Sequence, residues 1–171
     1  MPRFGTTTNQ DTTMPAITPE SARVFNDLVE VNKTGAKGYQ EAAEGVSDPQ
    51  LKAELSRLSQ QRAQFAAELE QQARRLGVEA PSNEGTIEGA LTDAAAAVHR
   101  GWINVKSAIT GQDDSAILGE CETGDKVALE AYESALKSQS VPAEASSVIQ
   151  KQHSEILAAK NQVTQWKASN R

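Results

Sequence analysis

Arg62, Asp125 and Gln152 each occupy a position that their neighbours reserve for an apolar side chain. Arg62 falls between Leu58 and Phe65, Asp125 between Cys121 and Ala128, and Gln152 between Ile149 and Ile156. Each set is spaced by three or four residues and so marks one face of a helix. Asn32 lies beside a fourth such face, and His153 follows Gln152 directly. A guanidinium, a carboxylate and two amides brought to one level can do two things. They can satisfy one another as a buried network, or the carboxylates can join His153 around a cation. Burying an ion costs several kcal/mol unless it is paired. Arg62 and Asp125 are the natural pair, and Glu122, one turn from Asp125, is a candidate second acceptor for the guanidinium. The simpler alternative is that these side chains lie at the edges of their stripes and reach water.

The cation reading meets an obstacle in the spacing. Carboxylate-bridged metal bundles take Glu from two helices and Glu-x-x-His from the other two. Here the residue three before His153 is Gln150, and the residue three before His99 is Ala96. Arg62 also brings a fixed positive charge to the level a dication would occupy. The expectation is therefore no resident metal or cofactor. Glu122, Asp125 and His153 are the candidates for a non-standard iron or manganese site, the alternative reading. No Gly-rich phosphate loop, Gly-x-Ser-x-Gly or Cys-x-x-Cys is present, so no residue is assigned as catalytic. Cys121 lies in an apolar stripe and reads as a small hydrophobe, with a redox or ligand-binding thiol as the competing reading. Tyr39 and Tyr132 read as core residues whose hydroxyls reach the rim or the polar layer. The pairs Glu41/Glu44 and Glu130/Glu133 lie off the stripes, on solvated faces.

Helices must position these groups. Thr18 as N-cap and Pro19 in the first turn open a helix to about Glu44, with Val24, Leu28, Val31, Gly35, Tyr39 and Ala42 on one face and Gly45 as its stop. Ser47 and Gln50 have capping-box spacing for a second helix, about Asp48 to Leu76, closed by Gly77. So short a link makes these two antiparallel neighbours. Residues 78–85 form a loop. A crossover helix, about Ile87 to Ala108, carries Ile87, Leu91, Ala94, Val98, Trp102 and Val105 on one side, and Thr110-Gly111 ends it. His99, Arg100 and Trp102 are a candidate interface; the structural reading is that Trp102 anchors the crossover while His99 and Arg100 face water. Two more helices follow, about Asp113 to Lys137 and Pro142 to Lys167. The four long stretches are each roughly 26 residues, or about 40 Å, so they can pack side by side and bring their midpoints to one level.

Composition bounds the function. The 171 residues suit one domain, with 38% hydrophobic, 23% charged and only 4% aromatic residues. A net charge of -6 argues against a nucleic-acid or anionic membrane surface. The single cysteine rules out an internal disulfide and a Cys-based zinc site. The Thr-rich residues 1–17 read as a flexible tail without the apolar run of a signal peptide, ahead of a domain at 18–171. The expected compartment is the cytoplasm.

Five segments are distinctive: Asn26-Asp27-Leu28-Val29-Glu30-Val31, Gly38-Tyr39-Gln40-Glu41-Ala42-Ala43-Glu44, Gln61-Arg62-Ala63-Gln64-Phe65, His99-Arg100-Gly101-Trp102-Ile103-Asn104 and Glu120-Cys121-Glu122-Thr123-Gly124-Asp125. Together they resemble a bacterial family of uncharacterised four-helix-bundle proteins in the ferritin-like superfamily. The resemblance spans about Thr18 to Lys167. It implies an all-α, ferritin-like antiparallel four-helix bundle with an additional crossover helix, and a stress-associated bacterial setting. It implies no activity. Iron-oxidising members of the superfamily carry the Glu-x-x-His pairs that this chain lacks, and Thr34 stands where relatives place an acidic residue. The expectation is a non-enzymatic protein acting through self-association as a dimer or larger, or through a protein partner the sequence does not identify.

Overall fold

A computed structural model describes residues 18–78, 93–102, 105–110 and 113–170. The described residues form six α-helices and no strand: α1 (Pro19–Gly45), α2 (Pro49–Arg75), α3 (Asp93–Trp102), α4 (Val105–Thr110), α5 (Asp114–Lys137) and α6 (Ala143–Ser169). Ile87 and Leu91, expected on the crossover, lie outside the described residues, as do the tail and Gly111. Within the described part, the crossover comprises two helices, α3 and α4.

The helix ends follow the local chemistry, with two changes of role. Thr18 caps α1 by accepting from the Ser21 amide at 3.1 Å. Asp48, not Ser47, caps α2, accepting from the Gln50 amide at 2.8 Å. Ser47 instead donates its amide (2.9 Å) and hydroxyl (3.0 and 3.1 Å) to Asp114, tying the α1–α2 link to the start of α5. A carboxylate holds two backbone or hydroxyl donors there more strongly than a neutral cap would. Gly77 closes α2 at φ 80°, where the Val78 amide reaches back to the Ala73 carbonyl at 2.8 Å. Gly45 is the last residue of α1, but its use is different: a Cβ there would lie 2.4 Å from Ile109. It admits α4 rather than turning the chain.

Side-chain pairs fix the directions. Ser59 on α2 donates to the Ala36 carbonyl at 2.6 Å, and Lys33 pairs with Glu70 at 3.0 Å, so α2 runs antiparallel to α1. Asn32 meets Tyr132 while Tyr39 meets Asp125, so α5 also runs antiparallel to α1. On α6, Lys167 reaches Glu122 and His153 reaches Glu133, an antiparallel pairing with α5. Gln162 meets Arg57 and Gln152 meets Glu68, the same relation with α2. The crossover lies against α1 and α5. The core between these helices is built from the expected stripes, including Leu55, Leu58, Leu69, Leu118, Ile149 and Ile156. Each such side chain contributes about 1.5–3 kcal/mol on burial. Ala73, not Leu76, ends the buried stripe of α2.

Candidate functional site

The polar residues of the stripes are buried, but they form two layers two turns apart rather than the one level expected. Arg62 and Asp125 are 2% and 1% exposed, and Arg62 Nη2 donates to Asp125 Oδ1 at 2.7 Å. The Tyr39 hydroxyl donates to the other oxygen, Oδ2. Both carboxylate oxygens are thus held, one by α2 and one by α1. The guanidinium lies over the Tyr39 ring, 5.8 Å from its centroid, a cation–π contact in a dry setting. Gly35 leaves room for the arginine stem, which a Cβ there would touch at 3.5 Å. Burial pushes the Asp125 carboxyl above its ordinary value, against the opposing pull of Arg62 and Tyr39. Burial, reinforced by the neighbouring Asp125 charge, pushes the Tyr39 hydroxyl well up, so it stays a proton donor.

Two turns along α1 and α5 lies a second, neutral network. Asn32 Nδ2 donates to the Leu28 carbonyl (2.7 Å) and to the Tyr132 hydroxyl (2.6 Å). That hydroxyl donates to Gln152 Oε1 at 2.7 Å. Gln152 Nε2 then reaches the Phe65 carbonyl at 3.3 Å and Glu68 at 2.9 Å. The chain crosses from α1 through α5 and α6 to α2, one polar group from each.

Trp102 closes the charged layer from the crossover side. Its ring packs edge-on against Tyr39, with centroids 5.0 Å apart and planes at 62°. The indole is seated between two glycines: a Cβ at Gly38 or at Gly124 would lie 2.2 Å from it. Mid-helix glycine costs about 1 kcal/mol in helix propensity, so its presence at both points marks a required close approach. His99 and Arg100 are exposed one turn away. Sequence reasoning placed Trp102 as an anchor but missed its seats; the available signal was a glycine directly before each of Tyr39 and Asp125.

The remaining candidates stand apart. Glu122 is not an acceptor for Arg62: it faces α6, bound by Thr164 and Lys167, both at 3.1 Å. Its partial burial raises its pKa, but these two bonds outweigh that and leave the carboxyl below its ordinary value. The reason is angular, because Glu122 directly follows the buried Cys121 and is turned by about 100° from it, off the stripe. His153 is partly exposed and 3.5 Å from Glu133. Cys121 is fully buried, and burial holds its thiol in the protonated form. Among the described residues, no three His, Cys, Asp or Glu side chains come together as metal ligands do, the set Glu122, Asp125 and His153 included. The one central carboxylate has both oxygens engaged by Arg62 and Tyr39, so a di-metal centre does not fit the residues present. No described helix is long and apolar enough to cross a membrane.

The molecule is thus an all-α protein whose interior is joined by a buried ion pair and a neutral hydrogen-bond chain. Residues 20–138 match a domain of unknown function, DUF2383, across well over half of the 171 residues, and the chain belongs to that family. The match takes in Asn32, Tyr39, Arg62, Trp102, Asp125 and Tyr132, and stops before α6 and its Gln152. No curated protein matches the chain.

Proposed function

We propose that this protein is a ferritin-like four-helix bundle that catalyses no reaction and works through association, in a cytoplasmic, stress-associated bacterial setting. The observation that carries the reading is the Arg62–Asp125 pair, 2.7 Å long and buried at both ends. The pair lies mid-helix on α2 and α5, and its guanidinium would repel a dication brought there. The helix directions support the ferritin-like assignment: two antiparallel hairpins, α1–α2 and α5–α6, joined by a crossover lying on α1 and α5. With both oxygens of the central carboxylate engaged by Arg62 and Tyr39, function is directed to the surface, and the fitting partner class is a second copy of this chain. Two measurements test the reading. Multi-angle light scattering is expected to give a dimer or larger at micromolar concentration, and a monomer throughout the accessible range would overturn the association. Elemental analysis of protein purified from its own cell is expected to show iron and manganese well below one per chain. A stoichiometric metal that is lost in Asp125→Ala would establish the alternative, a non-standard metal site.

A further inference from the structure

The crossover packs on α1 and α5, which leaves α2 and α6 as the outer pair. These two helices are held in different ways. α2 buries the large side chains Leu51, Leu55, Leu58, Phe65 and Leu69 together with the Arg62 guanidinium. Asp48 caps its start, and Gly77 turns the chain at its end. α6 buries only three large apolar side chains, Ile149, Ile156 and Val163, with Gln152 among them. Pro142 stands at its N-cap, and no side chain bonds the first turn. α6 runs along α5 but comes close to α2 at few points. The seam between α2 and α6 opens into a groove of about 210 Å³ whose walls include Gln61, Ala158 and Gln162. Gln61, in that wall, buries its Oε1 atom without a hydrogen-bond partner, an unmet cost of the docked state. The bonds of α6 to Glu122, Glu133 and Arg57 join exposed or partly exposed side chains, which contribute little. Among the described residues, Gln152 makes the buried ties, to the Tyr132 hydroxyl and the Phe65 carbonyl.

We infer that α6 is a separately opening unit, which undocks from α2 and α5 while the rest of the molecule stays folded. The charged layer permits this. Tyr39, Arg62, Trp102 and Asp125 come from α1, α2, α3 and α5, and no α6 residue takes part. The family match, residues 20–138, encloses the same body and ends at the α5–α6 link. That link is fastened on the near side of α6: Ser21, 2% exposed, donates its hydroxyl to the Ser140 carbonyl. The pivot therefore falls beyond Ser140, at Val141 and Pro142. Once undocked, α6 loses the packing from which a helix in water draws most of its stability, so its amides exchange with solvent. The opening bares the apolar surface that Ile149, Ile156 and Val163 cover and leaves the ion pair intact. It stands independently of the association reading.

Native-state hydrogen exchange on the full chain, followed by NMR at low urea concentrations, tests this. In the wild type, the Ile156 and Ala159 amides of α6 are expected to exchange about tenfold faster or more than those of Leu28 on α1 and Leu118 on α5, with a weaker dependence on urea. Equal rates with equal urea dependence would make the helices one cooperative unit and overturn the inference. A variant in the body sharpens the result. Gly124→Ala weakens the folded body whether α6 is docked or not. It is expected to speed exchange at Leu28 and Leu118 about tenfold and to leave Ile156 and Ala159 within about twofold. A Gly124→Ala variant that speeds α6 and the body alike would overturn the inference as well. The wild-type comparison stands by itself if that variant does not fold.

Discussion

The two interior networks differ in kind although α1, α2 and α5 contribute to both. Arg62, Asp125 and Tyr39 form a charged layer sealed on one side by Trp102. Asn32, Tyr132 and Gln152 form a neutral layer that ends on Glu68, a partly exposed residue at the α2–α6 side. The charged layer is costly to form and costlier to break, because each partner leaves an ion behind in a dry site. The neutral layer tolerates loss of a member, since amides and hydroxyls cost less to leave unpaired and one end is near water. The charged layer thus fixes which helices meet and in what register, and excludes other occupants. The neutral layer joins α6, the helix beyond the family match, to the rest.

The sharpest way to break that contrast is Asp125→Asn, which keeps shape and removes charge. It leaves Arg62 buried without a counter-ion and should cost about 3–5 kcal/mol in urea unfolding. Replacing both partners, as Arg62→Leu with Asp125→Leu, should recover much of that loss. Arg62→Leu alone has a signature in pH. Burial already holds the Asp125 pKa above its ordinary value, and losing Arg62 raises it further. The protonated carboxyl then favours the folded state. That stability is fully present below the unfolded value of 3.8 and is lost as pH rises through the raised folded value. The single variant should therefore lose stability, relative to wild type, as pH rises above 3.8. A flat difference would mean that Asp125 has found water.

Gly124→Ala comes next and probes the seal. A Cβ 2.2 Å from the Trp102 indole forces the ring or the crossover to move. The expected cost is about 1–3 kcal/mol despite the better helix propensity of alanine, with a change in Trp fluorescence. Unchanged stability would show that α3 is loosely held. Tyr132→Phe tests the neutral layer and should cost about 1–2 kcal/mol, since Asn32 keeps its bond to the Leu28 carbonyl while Gln152 loses a donor. A cost equal to that of Asp125→Asn would erase the distinction between the layers.

The periodicity made the stripes legible, and a polar residue inside a stripe was enough to place Arg62, Asp125 and Gln152 in the interior. Asn32 was read from its place beside a stripe and is fully buried. Which of them pair was legible only where charge decided it. The hydroxyl contacts were not: Tyr39 and Tyr132 sit two turns from Asn32 or Asp125, and nothing in a one-dimensional pattern says which tyrosine meets which partner. The register of α1 against α5 decides that, and a one-dimensional pattern does not carry it. Glu122 was misplaced because adjacency in turns ignores the angle around the helix. Ser47 was misread because a capping motif seen locally cannot reveal Asp114 approaching from a distant helix.

Glu122 supplies the smallest test, at the surface end of the comparison. Its carboxyl is held below the ordinary value of 4.5 by Lys167 and Thr164, so the folded state prefers it ionised. By linkage, that preference adds stability above 4.5 and fades as pH falls through the lower folded value. Glu122→Gln keeps the hydrogen bond to Thr164 within reach but removes the attraction to Lys167. The side chains are 26% and 33% exposed, and water screens them, so the loss at neutral pH should be under about 1 kcal/mol. The wild-type advantage over the variant should shrink on acidification, the same direction as for Arg62→Leu but smaller, and falling below 4.5 where the Asp125 response lies above 3.8. A Glu122→Gln loss as large as that of Asp125→Asn would mean that the α5–α6 edge, not the central ion pair, governs the register of the helices.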